Sequence, residues 1–171
     1  MLYLKKIKKS VLLFLRMPYR HQGMLICTFF LTGIVRAAVL ALPLRRFVPF
    51  FGQFHQTILL STVITKRQRH QAVRIGKLVR LAAKYTPWNS NCLTQAIVAK
   101  GWCRLFKIPH VLYIGFAKSA EDPNGFKGHA WLTAGPVAVT GGHGQLDYSV
   151  VSTYVYFTTP PGLRNTRTQL T

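Results

Sequence analysis

Cys92 sits in the run Asn91-Cys92-Leu93-Thr94-Gln95-Ala96, and His129 in Gly128-His129-Ala130-Trp131-Leu132, 37 residues later. The first run opens a helical pattern and the second a strand pattern. A thiol and an imidazole so placed are the two parts of an activated cysteine nucleophile: the imidazole takes the thiol proton and the sulfur attacks a carbonyl carbon. In the first turn of a helix a thiol also meets the positive end of the helix dipole and backbone N–H groups with no partner in the helix, which favour thiolate. The same N–H groups can stabilise an oxyanion beside the sulfur. The plainer alternatives are a cysteine packed as a small buried hydrophobe and a half-exposed histidine at a strand end.

Cys27 and Cys103 read as packing residues. Three cysteines are an odd number and contain no CxxC pair, which suits a reducing compartment. Cys92 and Cys103 fall on one helix, about 16 Å apart along its axis, beyond the reach of a disulfide. The other histidines (His21, His55, His70, His110 and His143) have no comparable setting. No set of them has ligand spacing, so no metal and no cofactor is expected.

A third group usually orients the imidazole. The chain has three acids, Glu121, Asp122 and Asp147, and Asp147 alone follows the histidine. Asp147 is the candidate orienter, if residues 141–147 loop back; Thr140, a backbone carbonyl or a water are the alternatives.

The elements that must position these groups follow from periodicity and punctuation. Residues 1–20 form a basic amphipathic start. Residues 22–42 read as a helix stopped by Pro43, and 45–54, rich in Phe, Pro and Gly, as a loop or short helix that packs the N-terminal helices on the main domain. Ala72, Ile75, Leu78, Val79 and Ala82 recur at helical spacing over 66–85. A third helix runs from about Asn91 to Phe106, capped by Asn91 or Ser90. Its apolar residues (Cys92, Ala96, Ala99, Cys103 and Phe106 on one face; Leu93, Ile97 and Leu105 beside them) predict burial around most of its circumference. Val111–Ala117 reads as a buried strand, 118–128 as a loop, 129–134 and 137–140 as a hairpin about Gly135-Pro136, and 150–158 as a further strand. The tail from Pro160 is expected to be loose. This order predicts an α+β fold: a buried helix on a small antiparallel sheet, preceded by a helical extension. The divisions are 1–65 for the extension, 66–160 for the main domain and 161–171 for the tail.

Charge constrains the partners. Twenty-three Lys and Arg against three acids give a formal net charge of +20, which attracts any polyanion. No nucleic-acid recognition motif or zinc spacing appears and the cations are scattered, so nucleic acid is not expected. Lys5-Lys6-Ile7-Lys8-Lys9 and the apolar residues after it resemble a signal sequence, but Arg16 and Arg20 cut the apolar stretch short. Met24–Leu42 carries one charge, Arg36, and approaches the length of a membrane span. It reads as a packed or membrane-surface helix in preference to a true span, and its basic flank favours the inner face of a bacterial-type membrane.

Helix-start cysteine, strand, loop and strand-start histidine is the chain order of papain-like and transglutaminase-like sites. More specifically, Pro87-Trp88, Cys92-Leu93-x-x-Ala96, Val111-Leu112-Tyr113-Ile114-Gly115 and Gly125-Phe126-Lys127-Gly128-His129-Ala130-Trp131 together resemble the lasso-peptide biosynthesis B proteins in their stand-alone form, a transglutaminase-like leader peptidase. Leu42-Pro43-Leu44-Arg45-Arg46-Phe47 adds to the likeness, which covers roughly residues 40–160. The resemblance implies a cytoplasmic cysteine peptidase of antimicrobial-peptide maturation. It would remove the leader of a ribosomally made precursor, with Cys92 as nucleophile and His129 as base. A separate winged-helix-like protein would recognise the leader and an ATP-dependent lasso cyclase would act next; any ATP dependence would come through that cyclase. The basic helix 66–85 is expected to be either a plain solvated face or a docking surface for the leader-binding protein or an acidic leader. Relatives often carry an Asp twelve positions after the histidine, where this chain has Gly141. Another Cys-His acyl-transfer enzyme, a transglutaminase or amidase, and a non-catalytic membrane- or peptide-binding protein are the competing readings.

Overall fold

In a computed structural model, which describes residues 17–51, 53–55, 60–118, 125–142 and 147–157, helices cover one face of an antiparallel sheet. The helices are α1 (Tyr19–Ala41), the four-residue α2 (Val48–Phe51), α3 (Lys66–Tyr85) and α4 (Cys92–Leu105), with a 3-10 turn at Leu44–Arg46. The strands are β1 (Gln53–His55), β2 (His110–Lys118), β3 (Phe126–Ala134), β4 (Val137–Thr140) and β5 (Ser149–Tyr156), in the order β1-β5-β2-β3-β4. The α+β expectation holds.

Each long helix starts or stops where the chemistry of its ends requires. Thr65 and Gln68 form a reciprocal capping box ahead of α3, satisfying two amide donors that the first helical turn leaves free. Asn91 caps α4 through its side-chain oxygen, which accepts from Thr94 N–H at 3.0 Å. Pro43 and Pro87 follow α1 and α3 within two residues, where a ring without an N–H cannot extend the helix.

The strands divide the core in two by simple alternation. Leu112, Ile114, Ala130, Leu132 and Ala134 face the helices and pack with Ala72, Ile75, Val79, Ala96, Ala99 and Cys103. Val111, Tyr113, Trp131 and Val155 form a smaller cluster on the opposite face. Leu60 lies over that second cluster, and its backbone N–H and C=O both bond the Tyr113 hydroxyl.

Three expectations change. Strand β3 begins at Phe126, inside the segment expected as loop, because Phe126, Lys127 and Gly128 pair with Lys118, Ala117 and Phe116. The aromatic stretch 45–54 supplies an edge strand as well as turns: β1 pairs with β5, and Phe51 and Phe54 lie 5.1 and 5.6 Å from the ring of Tyr154. Thus the expected packing of this cluster on the main domain is found. Finally, α4 is not buried all round. Leu105 is 67% and Phe106 37% exposed, because the end of the helix runs past the sheet into the turn that leads to β2. The expected basic start, the centre (119–124) of the expected loop 118–128 and the C-terminal tail lie largely or wholly outside the described residues.

Candidate active site

Chain direction brings the thiol and the imidazole to one end of the molecule. Helix α4 runs about 20 Å from Cys92 to its end at ~1.5 Å per residue. The chain then turns at Phe106–Pro109, and β2 runs back about 17 Å from His110 to Gly115 at ~3.3 Å per residue. Gly115 is paired with His129, so the start of α4 and the start of β3 lie at similar height, with α4 packed across β3.

Cys92 is the first residue of α4, half-buried against the helix-side core. Asn91 Oδ1 holds Thr94 N–H and Asn91 O holds Gln95 N–H. The N–H groups of Cys92 and Leu93 precede the first intrahelical bond and are the donors available to a charged oxygen next to the sulfur. Behind the cap, Gln95 Nε2 donates to Ser90 O at 2.7 Å, and the Ser90 and Thr86 hydroxyls are 3.0 Å apart. The loop that presents Cys92 is therefore tied to both α3 and α4.

His129 is half-buried on β3. Its ring stacks with those of Trp131, with centroids 5.7 Å apart, and Tyr148, at 4.8 Å. Its Nε2 lies 2.9 Å from the carbonyl oxygen of Gly141. A carbonyl oxygen can only accept, so Nε2 carries the proton and donates, which leaves the lone pair of the neutral ring on Nδ1. Gly141 has φ +67°, and a Cβ there would fall 2.6 Å from Ala130 O and 2.7 Å from Trp131 Cβ. The left-handed backbone and the missing side chain are what let Gly141 approach β3 and aim its carbonyl at the ring.

Neither of the other candidate side chains has a described hydrogen bond to the imidazole. Asp147 is exposed, at the entrance to β5, and the described bond of the imidazole goes to Gly141 instead. Thr140 pairs with Leu132 and is buried with its hydroxyl unbonded. Among the described residues no hydrogen bond joins the Cys92 thiol to the imidazole. By strand alternation the ring leans to the Trp131 side, while the thiol packs on the helix side. Catalytic hydrogen bonds commonly tighten only once substrate is bound. Tyr148 as an aromatic wall was not foreseen; its place one residue after Asp147 gave no signal in the sequence.

Apart from this pair, three titratable groups near the end of α4 are strongly perturbed. Burial pushes the Cys103 thiol up to about 12. Burial, helped by Arg104, brings Lys100 down to about 8. Burial brings His110 down to about 4, against a hydrogen bond to Ile108 O that pulls the other way. Among the described residues no group of three His, Cys, Asp or Glu is placed to hold a metal ion.

Compared with known protein families, residues 38–153 match the transglutaminase-like superfamily. The match takes in the end of α1, all of α3 and α4, and the sheet as far as Thr153. No curated protein and no solved structure matches the chain.

Proposed function

We propose a peptide-cleaving role for this chain, which belongs to the transglutaminase-like superfamily, a fold of cysteine-based acyl-transfer enzymes and peptidases. In this reading the chain is a leader peptidase. The observation that carries it is the half-buried Cys92 at the capped start of α4, at the same end of the molecule as an imidazole whose Nε2 is already committed to Gly141 O.

Once the imidazole reaches the helix side of the sheet, His129 Nδ1 takes the proton of the Cys92 thiol, and the sulfur forms a bond to the scissile carbonyl carbon. The N–H groups of Cys92 and Leu93 hold the resulting oxyanion. Collapse of the tetrahedral adduct breaks the C–N bond, and the leaving amine receives the proton from the imidazolium. A thioester links the leader to Cys92. Water, deprotonated by His129, then attacks it, releasing the leader carboxylate and restoring the thiol.

The substrate is the leader-bearing precursor of a ribosomally made peptide of the lasso class, and the freed amine goes to a separate cyclase. Leader recognition comes from a partner protein docked on the exposed basic face of α3, where Arg69 and Lys84 point to solvent. The test is precursor cleavage by the wild type and by Cys92→Ala, with the leader-binding protein present, read by mass spectrometry. A leader fragment from the wild type alone supports the reading. Ammonia release or a crosslinked product would move the chain to transglutaminase or amidase chemistry, and cleavage by both proteins would make Cys92 structural.

A further inference from the structure

Helix α1 is inside out. It is 23 residues long, with a mean hydropathy of 2.1 over its most apolar window, of which only 11% is buried. Its two buried residues are Thr28 and Thr32. Their hydroxyls accept from the indole N–H groups of Trp102, at 3.0 Å, and Trp88, at 3.2 Å. Gly33 brings the helix so close to Trp88 that a Cβ there would lie 2.9 Å from Cζ2. The polar hydroxyls thus face the protein. Ile26, Phe30 and Ile34, which repeat at helical spacing on the far side, are 48%, 62% and 65% exposed. A helix of a water-soluble core is arranged the other way round.

We propose that α1 lies flat in the surface of an anionic membrane, with Ile26, Phe30 and Ile34 among the acyl chains and the cations around it at the headgroups. This inference is independent of the peptidase reading. Three observations select the lipid. The apolar stripe carries no charged residue, whereas Arg20 and the Arg45-Arg46 pair stand exposed just inside its start and beyond its end. His21 of α1 shares an open hollow with Arg74 and Lys77 of α3, which places two more cations beside the helix. The whole chain carries 23 Lys and Arg against three acids, a net +20, which opposes association with a second copy and favours a negative surface.

Length alone would allow a span: 23 residues rise about 35 Å, and a bilayer core is about 30 Å thick. Packing decides against it. The middle of α1 is fixed to Trp88 and Trp102, and α1 packs against α3. Centring α1 in the hydrocarbon would drag the exposed cations of α3 in with it. A helix with one apolar face, lying in the interface plane, satisfies both surfaces.

The test is flotation of the full chain with vesicles of phosphatidylcholine, alone or mixed equally with phosphatidylglycerol. The wild type should float with the mixed vesicles and lose binding in high salt. Phe30→Ser with Ile34→Ser should weaken binding at least about tenfold, while Phe126→Ser, at a still more exposed phenylalanine on β3, should not. Arg45→Glu with Arg46→Glu should weaken binding to the mixed vesicles without unfolding the chain. Failure of the wild type to float, or undiminished binding by the serine double variant, overturns the proposal. So does a lipid-free dimer, seen by sedimentation equilibrium, that the same variant dissociates. Depth is read from a fluorophore on exposed Cys27 in a Cys92→Ala background. Quenching by nitroxides near the headgroups supports the flat helix, and quenching only at the bilayer centre overturns it in favour of a span.

Discussion

His129 and Gly141 are joined by a single hydrogen bond of 2.9 Å, from the imidazole Nε2–H to a main-chain oxygen. The partner of the ring is a carbonyl and not a carboxylate. The interaction fixes the tautomer and the ring angle, and it brings no negative charge to stabilise an imidazolium. The first prediction follows. Asp147→Asn should change turnover by less than about tenfold, because the exposed carboxylate does not set the tautomer. Removing a true orienting carboxylate costs about 10⁴-fold. Steady-state cleavage rates decide between the two.

Gly141→Ala should be far more damaging. The added Cβ meets the Ala130 carbonyl and Trp131 Cβ at under 3 Å, on a backbone of positive φ. We expect a loss of stability of about 1–3 kcal/mol, seen as a lower melting temperature, together with a loss of cleavage beyond the unfolded fraction as the carbonyl leaves the ring. A variant as stable and active as the wild type would show that the bond is incidental.

Thiol reactivity should separate the three cysteines. Cys27 is exposed and Cys92 half-buried, while Cys103 is fully buried with its pKa pushed up to about 12. Ellman titration of the native protein should therefore count two fast thiols, and the third should appear only on denaturation. Loss of one fast thiol in Cys92→Ala assigns the site.

Acid should unfold the protein partly through His110. Its pKa falls from 6.5 to about 4 on folding because the neutral ring is buried. The unfolded state then binds the extra proton first, and stability declines as pH drops from above 6.5 towards 4, with no further loss from this group below. The full effect is on the order of 3 kcal/mol. His110→Gln should flatten that part of a chemical-denaturation series across pH; an unchanged slope would falsify the assignment.

Thr28→Val should cost about 1–3 kcal/mol, although it adds apolar surface to an apolar helix. It strands the Trp102 indole N–H, which now donates to the Thr28 hydroxyl at 3.0 Å. Thermal denaturation of Thr28→Val against Thr28→Ser, which keeps the acceptor, isolates the hydrogen bond from shape.

Much of this site could be read from the sequence because its parts are local. Asn91 ahead of a mostly apolar run fixes the helix start, and alternation in Ala130-Trp131-Leu132 fixes the faces of β3. The 66–85 helix was legible to the residue, since Ala72, Ile75, Leu78, Val79 and Ala82 form one apolar stripe along it. The imidazole's partner was not. The sequence put Asp147 forward, with Thr140, a backbone carbonyl or a water as alternatives, and the carbonyl bond turns on a positive φ at Gly141 that no side-chain pattern encodes. Strand β1 was hidden for a related reason. Three residues in an aromatic, Pro/Gly-punctuated stretch become a strand only because β5 offers a free edge.

That edge has a kinetic side. Gln53 and Val155 are partners, yet they stand roughly a hundred residues apart in order of synthesis. On the ribosome the helices and the hairpin can form as they emerge, but β5, which joins β1 to β2, arrives after them. Until then β2 has one bare flank and β1 has no neighbour at all, in a nascent chain whose greasy first helix is already exposed. Production of this protein should accordingly be sensitive to translation speed and to chaperones that shield unpaired strands.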